Sequence, residues 1–328
     1  MQDTRLEAMI AWLETHIDEP FGIQALANDA SFRRYFRCKI NDMTYVVMDA
    51  PPPREDVKPF IAIAKAFQEQ GLAVPVVHHM DIDQGYLLLS DLGDCLYHGH
   101  LTAENADQLY DKAFEAVHIM QACEAEHFES WALPHFDQQL LDDEWHLFVH
   151  WYLEQYVGYE LNQQEVAQLR EVFNLLIENV TAQPQVCVHR DFHARNLLLT
   201  PEEKLGILDF QDARWGPMSY DLVSLLRDAY VQWPEQQVHD WIERYWQNMP
   251  EKPLGVSASQ WLQWVDWMGV QRHLKILGIF ARLYQRDGKP RYLADIPQVR
   301  AYLLQVTAHY PALQALRQLL QRAVPDGS

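Results

Sequence analysis

Three polar residues, Asp191, Asn196 and Asp209, could together activate a hydroxyl and hold a divalent cation. They lie in the run VCVHRDFHARNLLLTPEEKLGILDF, residues 186–210. Leu197–Thr200 and Leu205–Leu208 are short apolar stretches, and the four residues Pro201-Glu202-Glu203-Lys204 between them read as a hairpin turn. Asn196 precedes the first strand by one residue, and Asp209 follows the second by one. A four-residue turn sets these two residues opposite each other, with Cβ atoms roughly 4.5–5.5 Å apart. An amide oxygen beside a carboxylate is a hard, oxygen-only site suited to Mg²⁺, which takes few protein ligands. Asp191, in the loop feeding the hairpin, can reach the same cleft, orient an attacking hydroxyl and accept its proton. Singly, each residue is explained as well by a turn or cap; the matched spacing of all three points to phosphoryl transfer from ATP.

The neighbours suggest supporting roles. His189 and His193 are four apart, as in helical metal motifs, but the segment reads as a loop, so His189 is expected to organise that loop by hydrogen bonding. A zinc hydrolase would need a third ligand, and none is evident nearby. Arg195 and Arg214 flank the hairpin and are candidates for contact with substrate or transferring phosphate, with a surface ion pair as the plainer alternative.

The elements that must position these residues fall into two groups. Residues 4–17 have helical spacing, and SFRRYFRCKINDMTYVVMDAPPP reads as two strands turning at Asn41-Asp42. Lys58–Gln70 reads as a helix stopped by Gly71, and VPVVHHMD and GYLLLSDLG as two further strands. Beyond Gly93 helices dominate, at about 103–125, 138–156, 163–181, 218–231, 236–248, 258–285 and 310–323. The fold class is therefore α+β, with a small antiparallel-sheet N-lobe over 1–90 and a mainly helical C-lobe over 91–328.

The pattern H-x-D-x-x-x-x-N, followed by an apolar strand ending in Asp-Phe, resembles the aminoglycoside phosphotransferase and choline kinase branch of the protein-kinase-like fold. Gly216-Pro217-Met218-Ser219-Tyr220-Asp221-Leu222 resembles that family's G-x-x-x-x-D-L element, which implies that Asp221 braces the catalytic loop through backbone hydrogen bonds. The segments DASFRRYFR, YVVMDAPP, HRDFHARNLL, LDFQDARWGPMSYDLVSLLRDAY and GVQRHLKILGIFARL resemble, more narrowly, the anomeric sugar kinases acting on N-acetylmuramate and N-acetylglucosamine in cell-wall recycling. The resemblance implies ATP and Mg²⁺ bound between the lobes, adenine held by the hinge backbone at Ser90, Asp91 and Leu92, and a small-molecule sugar as acceptor. An anionic sugar would want cations, and Arg272, His273 and Lys275 are the candidates. Trp261, Trp264 and Trp267 on the same helix could stack on a sugar ring, but they suit a core better. Glu144 and Asp143 could reach a sugar hydroxyl, although a solvated helix start explains them more simply.

Two departures from the family stand out. The strand that ordinarily reads V-A-I-K is Tyr45-Val46-Val47-Met48-Asp49, without the phosphate-gripping Lys. The glycine-rich loop is replaced by Asp29-Ala30-Ser31-Phe32-Arg33-Arg34, which has no glycine. The phosphates would then be cradled near Ser31, with charge from Arg33, Arg34, Arg37 or Lys39. Adjacent strand residues face opposite ways, so Arg33 and Arg34 cannot both serve from a regular strand.

The 328 residues carry 46 acidic and 26 basic side chains, a net charge of −20. That field argues against nucleic acid and anionic membranes as partners. Four dispersed cysteines, with no basic-apolar leader and no membrane-length apolar run, suggest a cytoplasmic protein. Alternatives are an aminoglycoside or amino-alcohol (choline- or homoserine-type) kinase, which the acidic balance would suit, and a catalytically inactive kinase-like binding module, suggested by the missing Lys.

Overall fold

Asn41, at φ 53°, turns the chain between two seven-residue strands that pair from Ile40↔Met43 to Arg34↔Asp49. The structure is a computed structural model and describes residues 3–26, 32–128 and 130–324. In chain order come α1 (Thr4–Glu14), β1 (Phe21–Ala25), β2 (Arg34–Ile40), β3 (Met43–Asp49), α2 (Lys58–Glu69), β4 (Val77–Asp81), β5 (Tyr86–Ser90) and α3 (Tyr97–His100). There follow α4 (Ala106–Gln121), α5 (Gln138–His146), a π-helix (Leu147–Val157), α6 (Gln163–Thr181), β6 (Gln185–Val188), β7 (Leu197–Leu199), β8 (Leu205–Ile207) and β9 (Arg214–Pro217). The chain closes with α7 (Tyr220–Leu226), α8 (Glu235–Asn248), α9 (Ala258–Gln285), α10 (Ile296–His309) and α11 (Gln314–Ala323).

These elements form two compact units. Unit 1 comprises Met1–Ala103, Cys123–Leu133 and Asn196–Asp212; unit 2 comprises Glu104–Ala122, Pro134–Arg195 and Ala213–Ser328. Unit 1 is built on an antiparallel sheet of order β1-β2-β3-β5-β4. Alternation along β2 sends Phe36 and Cys38 to one face, where they meet Met9 and Leu13 of α1. Unit 1 also holds the β7–β8 hairpin, and Phe210 just beyond it packs on Phe60 and Phe67 of α2, at ring-centroid distances of 4.8 and 5.9 Å.

Unit 2 is mainly helical and is organised on α9, a helix of 28 residues. Leu274, Leu277 and Ala281 of α9 share a core with Phe148 and Tyr152 of the π-helix, Leu303 of α10 and Leu316 of α11. Each such leucine contributes about 1.5–3 kcal/mol on burial. Trp261, Trp264 and Trp267 lie in the interior at 1%, 6% and 8% exposure, as core residues rather than a sugar platform. All but Trp12 and Trp131 of the 11 tryptophans belong to unit 2.

The pattern did not anticipate β1, the edge strand beside β2, nor β9, which pairs with β6, nor α10. The helix expected near 218–231 is the shorter α7. Arg227 leaves the helical region at φ −116° and ψ 47°, and Asp228 turns to accept the Tyr230 N–H at 2.9 Å. Among the described residues no helix is long and apolar enough to cross a membrane.

Gly278 lets α9 approach the start of the π-helix. A Cβ added there would lie 2.3 Å from the Leu147 carbonyl carbon and 2.5 Å from its oxygen. Alanine would gain about 1 kcal/mol in helix propensity. Overpacking against backbone costs typically 1–3 kcal/mol and sometimes more, so the clash wins. Gly278→Ala is expected to lower the urea midpoint; an unchanged or higher midpoint would refute this reading of the contact.

Candidate active site

The hairpin carries Asn196 and Asp209, but its register differs by one residue from the expected one. Thr200 donates its N–H to the Lys204 carbonyl at 2.9 Å, so the loop has three residues rather than four. Glu203 takes the left-handed conformation, φ 60°, that such loops require in their last position. Leu197 therefore pairs with Ile207, and Asn196 stands opposite Leu208, whose N–H donates to the Asn196 carbonyl at 2.9 Å. Asp209 still reaches its partner. Its backbone is left-handed, φ 62°, and its Oδ2 lies 3.5 Å from Asn196 Nδ2. That distance is too long for a strong hydrogen bond, and a half-turn of the amide presents its oxygen instead.

Gln211 Nε2 donates to Asp209 Oδ1 at 2.7 Å, and Arg33 Nη2 lies 3.5 Å from the same oxygen. A carboxylate and an amide oxygen at one strand end fit Mg²⁺, which completes its shell with water and phosphate. Among the described residues no group of three or more His, Cys, Asp or Glu is set to hold a metal ion.

The residues expected to grip nucleotide divide sharply. Ser31 lies outside the described residues. Arg33 points to Asp209 and to Glu55, 3.7 Å away. Arg34 turns elsewhere, bonding Asp49 at 2.6 Å and pairing with Asp3, and Arg5 bonds the same Asp49 at 2.6 Å. The run that lacks the lysine thus ends in a fully buried aspartate gripped by two arginines. Arg37 pairs with Asp91 at 2.7 Å and with Asp94 at 2.9 Å, and hydrogen bonds to Asp94 and Asp91 hold its pKa above the usual arginine value. Lys39 is exposed. At the expected hinge, Ser90 exchanges hydrogen bonds with Val76, its N–H reaching the Val76 carbonyl at 2.9 Å and its Oγ accepting the Val76 N–H at 2.8 Å. Asp91 accepts the Gly93 N–H at 3.0 Å, and Leu92 is half-buried.

Asp191, in unit 2, lies in a loop fixed by its backbone. His189 and Arg190 donate their N–H groups to the Asp221 carboxylate at 2.7 and 3.0 Å. Asp191 N–H faces His189 Nδ1 at 3.2 Å, and His193 N–H donates to the Asp191 carbonyl at 3.0 Å. His189 is fully buried, as a loop organiser would be. Arg190 occupies left-handed space, φ 76°, which costs a non-glycine residue of order 1–3 kcal/mol and needs surrounding contacts to persist.

Those contacts centre on Glu144. Its carboxylate, 4% exposed, meets Arg190 Nη2 at 2.9 Å, Lys275 Nζ at 3.4 Å and Gln271 Nε2 at 2.6 Å. Glu144 is thus no solvated helix start. Burial works to raise its pKa, but Lys275 and Arg190 prevail and lower it. Lys275 also bonds the Tyr220 hydroxyl at 3.0 Å; burial would lower its pKa, and Glu144 outweighs that and raises it.

Arg272, 3% exposed, donates Nε to Ser224 Oγ at 2.6 Å and brings Nη2 to 3.9 Å from Asp191. Burial opposes ionisation of Asp191, yet Lys275, His193, Arg272 and Arg190 hold its carboxyl well below the usual range. Of these, burial takes His193 down to about 3, so the lasting positive charges are those of Lys275, Arg272 and Arg190. Asp191 keeps 41% of its side chain open to solvent. The cations around it favour the ionised carboxylate, which can accept a hydrogen bond from a hydroxyl and align it.

The cations expected to bind sugar therefore serve differently. His273 is fully buried, its Nε2 sits 2.9 Å from the Arg227 carbonyl, its ring stacks on Tyr302, and burial takes its pKa to about 3; it is a neutral core histidine. Arg272 and Lys275 are enclosed, and their charge acts on Asp191. Arg195 is exposed, with its guanidinium carbon 3.6 Å from the Tyr230 ring centroid. Arg214 donates to the His135 carbonyl at 3.2 Å. Glu144 was misread in the sequence, and Ser224 and Asp228 went unnoticed there. Their signal is a polar residue recurring at steps of three and four within the apolar run DLVSLLRDAY.

Comparison with known proteins bears on the family and the fold. The model of a family described as the phosphotransferase enzyme family matches residues 22–253. An N-acetylmuramate/N-acetylglucosamine kinase of Pseudomonas aeruginosa is 41% identical and is covered over 98% of its length by 99% of this chain. One from Neisseria meningitidis is 40% identical, with 96% of this chain and 95% of that protein covered. Among solved structures, a putative aminoglycoside phosphotransferase from Ralstonia eutropha aligns with TM-score 0.65 at 13% identity, over 95% of this chain and 98% of that one. The choline kinase LicA from Streptococcus pneumoniae aligns with TM-score 0.63 at 13% identity, over 92% and 99%. Those two share the protein-kinase-like fold, and with a family match over most of its length and near-full-length relatives at about 40% identity, this chain belongs to the phosphotransferase enzyme family.

Proposed function

We propose that this chain is an ATP-dependent, Mg²⁺-requiring kinase that phosphorylates the anomeric hydroxyl of N-acetylmuramate and N-acetylglucosamine. The observation that carries the acceptor is the near-full-length similarity, at about two residues in five, to relatives bearing that activity in their names. We assign nucleotide binding to unit 1 and acceptor binding to the helices of unit 2. Asp191 aligns the sugar hydroxyl and takes its proton as the new O–P bond forms. Asn196 and Asp209 would hold the metal ion, which when bound screens the charge of the nucleotide phosphates. Arg33, beside Asp209, supplies the positive charge that the missing strand lysine would provide. His189 and Asp221 hold the loop in place. The four cysteines stand as free thiols, in keeping with a cytoplasmic enzyme.

The test is a panel of N-acetylmuramate, N-acetylglucosamine, kanamycin, choline and homoserine with ATP and Mg²⁺, followed by phosphorus NMR. The expected result is a sugar 1-phosphate from both amino sugars and none from the others. Preferential phosphorylation of kanamycin or choline would replace the acceptor assignment. Absence of turnover on all five, with no nucleotide binding by calorimetry, would replace the enzyme by a binding module.

A further inference from the structure

The short helix α7 and the two residues beyond it lay three polar side chains along the loop that contains Asp191. Asp221, in its first turn, accepts the N–H groups of His189 and Arg190. Ser224, one turn on, places its Oγ 3.4 Å from the Arg190 carbonyl and receives Arg272 Nε at 2.6 Å. Asp228, two residues past the end of α7, accepts the Ala194 N–H on Oδ2 at 2.9 Å and the Tyr230 N–H on Oδ1 at 2.9 Å. Asp221 and Ser224, three residues apart, lie on one side of α7, and Asp228 follows beyond its end. Asp191 thus sits between a backbone grip at 189–190 and another at 194.

We infer that Asp228 is a positioning residue for the transfer step, fixing through the Ala194 N–H the stretch of loop that joins Asp191 to Asn196. This rests on the reading of Asp191 given above. Asp228 is 1% exposed. Among the described residues, Arg272 of α9, Arg195 of the loop, Tyr302 and Tyr230 interact electrostatically with it. Gln298 of α10 bonds its carbonyl oxygen at 3.0 Å. Both carboxylate oxygens are occupied by backbone N–H groups. Burial pushes its pKa up to about 6, against the pull of those two N–H groups and of Arg272 and Arg195. A raised carboxyl pKa favours the folded state at low pH, and that contribution is lost as pH rises through about 6. Ionisation of Asp228 at neutral pH therefore works against stability.

The experiment compares Asp228→Asn, Asp228→Ala and Asp191→Asn with the wild type, reading kcat, both KM values and the melting midpoint. Displacement of a reacting group by about 1 Å can cost on the order of 100-fold in rate. Asp228→Ala is expected to lower kcat about 10- to 100-fold with both KM values within about threefold. Asp228→Asn, which keeps one acceptor oxygen, should recover part of that loss, and its melting midpoint should equal or exceed the wild-type value. A kcat within twofold of wild type in Asp228→Ala, beside an inactive Asp191→Asn, overturns the brace and leaves the Asp191 reading intact. An active Asp191→Asn overturns that reading and the brace with it. Should the Asp228 variants fail to fold, hydrogen exchange of the Ala194 amide in the wild type decides. Strong protection is expected, and exchange at the free-peptide rate refutes the brace.

Discussion

Asp191→Asn is expected to lower kcat by about 10²- to 10⁴-fold, the range found when a positioned acid–base group is removed, while both KM values move by less than about threefold. The substitution keeps the shape of the side chain and the loop around it. His189 and Arg190 still bond Asp221, and Ala194 still bonds Asp228. What disappears is the carboxylate oxygen to which the proposed mechanism assigns the hydroxyl proton. Because Lys275, Arg272 and Arg190 hold the Asp191 pKa far down, kcat should show no acid limb from this group at ordinary pH. The same depression contributes stability at neutral pH, present above the unfolded carboxyl pKa and lost as pH falls through the folded one. The variant should therefore melt somewhat lower, although the loss of activity exceeds anything unfolding explains. Steady-state assay at pH 6–8 with circular dichroism of the same samples checks this. Near-normal sugar-dependent turnover would remove Asp191 from the mechanism.

Glu144→Leu is expected to destabilise unit 2 by about 3–5 kcal/mol, the cost of leaving buried charge without its partner. Its carboxylate serves two cations at once, Arg190 at 2.9 Å and Lys275 at 3.4 Å. Removal strands both, and it also removes a contact that holds Arg190 at φ 76° beside Asp191. Activity should fall together with stability, since the loop geometry depends on that conformation. Adding Lys275→Met should return part of the stability, because an ion pair replaced by apolar groups of similar volume is often near neutral. It should not restore the rate. The lowered Glu144 pKa also predicts a pH dependence: the contribution is present above the unfolded carboxyl pKa and is lost as pH falls through the folded one. Urea titration of the single and double variants measures the coupling. A single variant within about 1 kcal/mol of wild type would mean the cluster is solvated rather than buried.

The site was legible where chemistry and spacing are local. Asp191, Asn196 and Asp209 stand within one loop and hairpin, and the strands around Asn41 follow from alternation and a turn. The register was one residue out for a local reason: Glu203 is neither glycine nor asparagine, so nothing marked it for left-handed space or signalled a three-residue loop. Asp209 recovers the meeting with Asn196 through its own left-handed backbone, a conformation that aspartate tolerates better than glutamate does. Glu144 escaped for a non-local reason. Its partners Arg190 and Gln271 lie 46 and 127 residues away, and only the tertiary fold distinguishes a buried hub from a wet helix end. The same holds for Arg272, His273 and Lys275, whose charge pattern suggested a ligand while their burial assigns them to the protein.

The uneven distribution of tryptophan determines what an optical experiment sees. With all but Trp12 and Trp131 in unit 2, intrinsic fluorescence is chiefly a signal from the helical unit. A denaturation curve followed only by that emission would register loss of Glu144 strongly and could pass over melting of the sheet and hairpin that hold Asn196 and Asp209. A tryptophan introduced into unit 1 at exposed Met80 on β4 would give that unit a signal of its own. Coincidence of the two transitions would then show whether the two units unfold as one cooperative body.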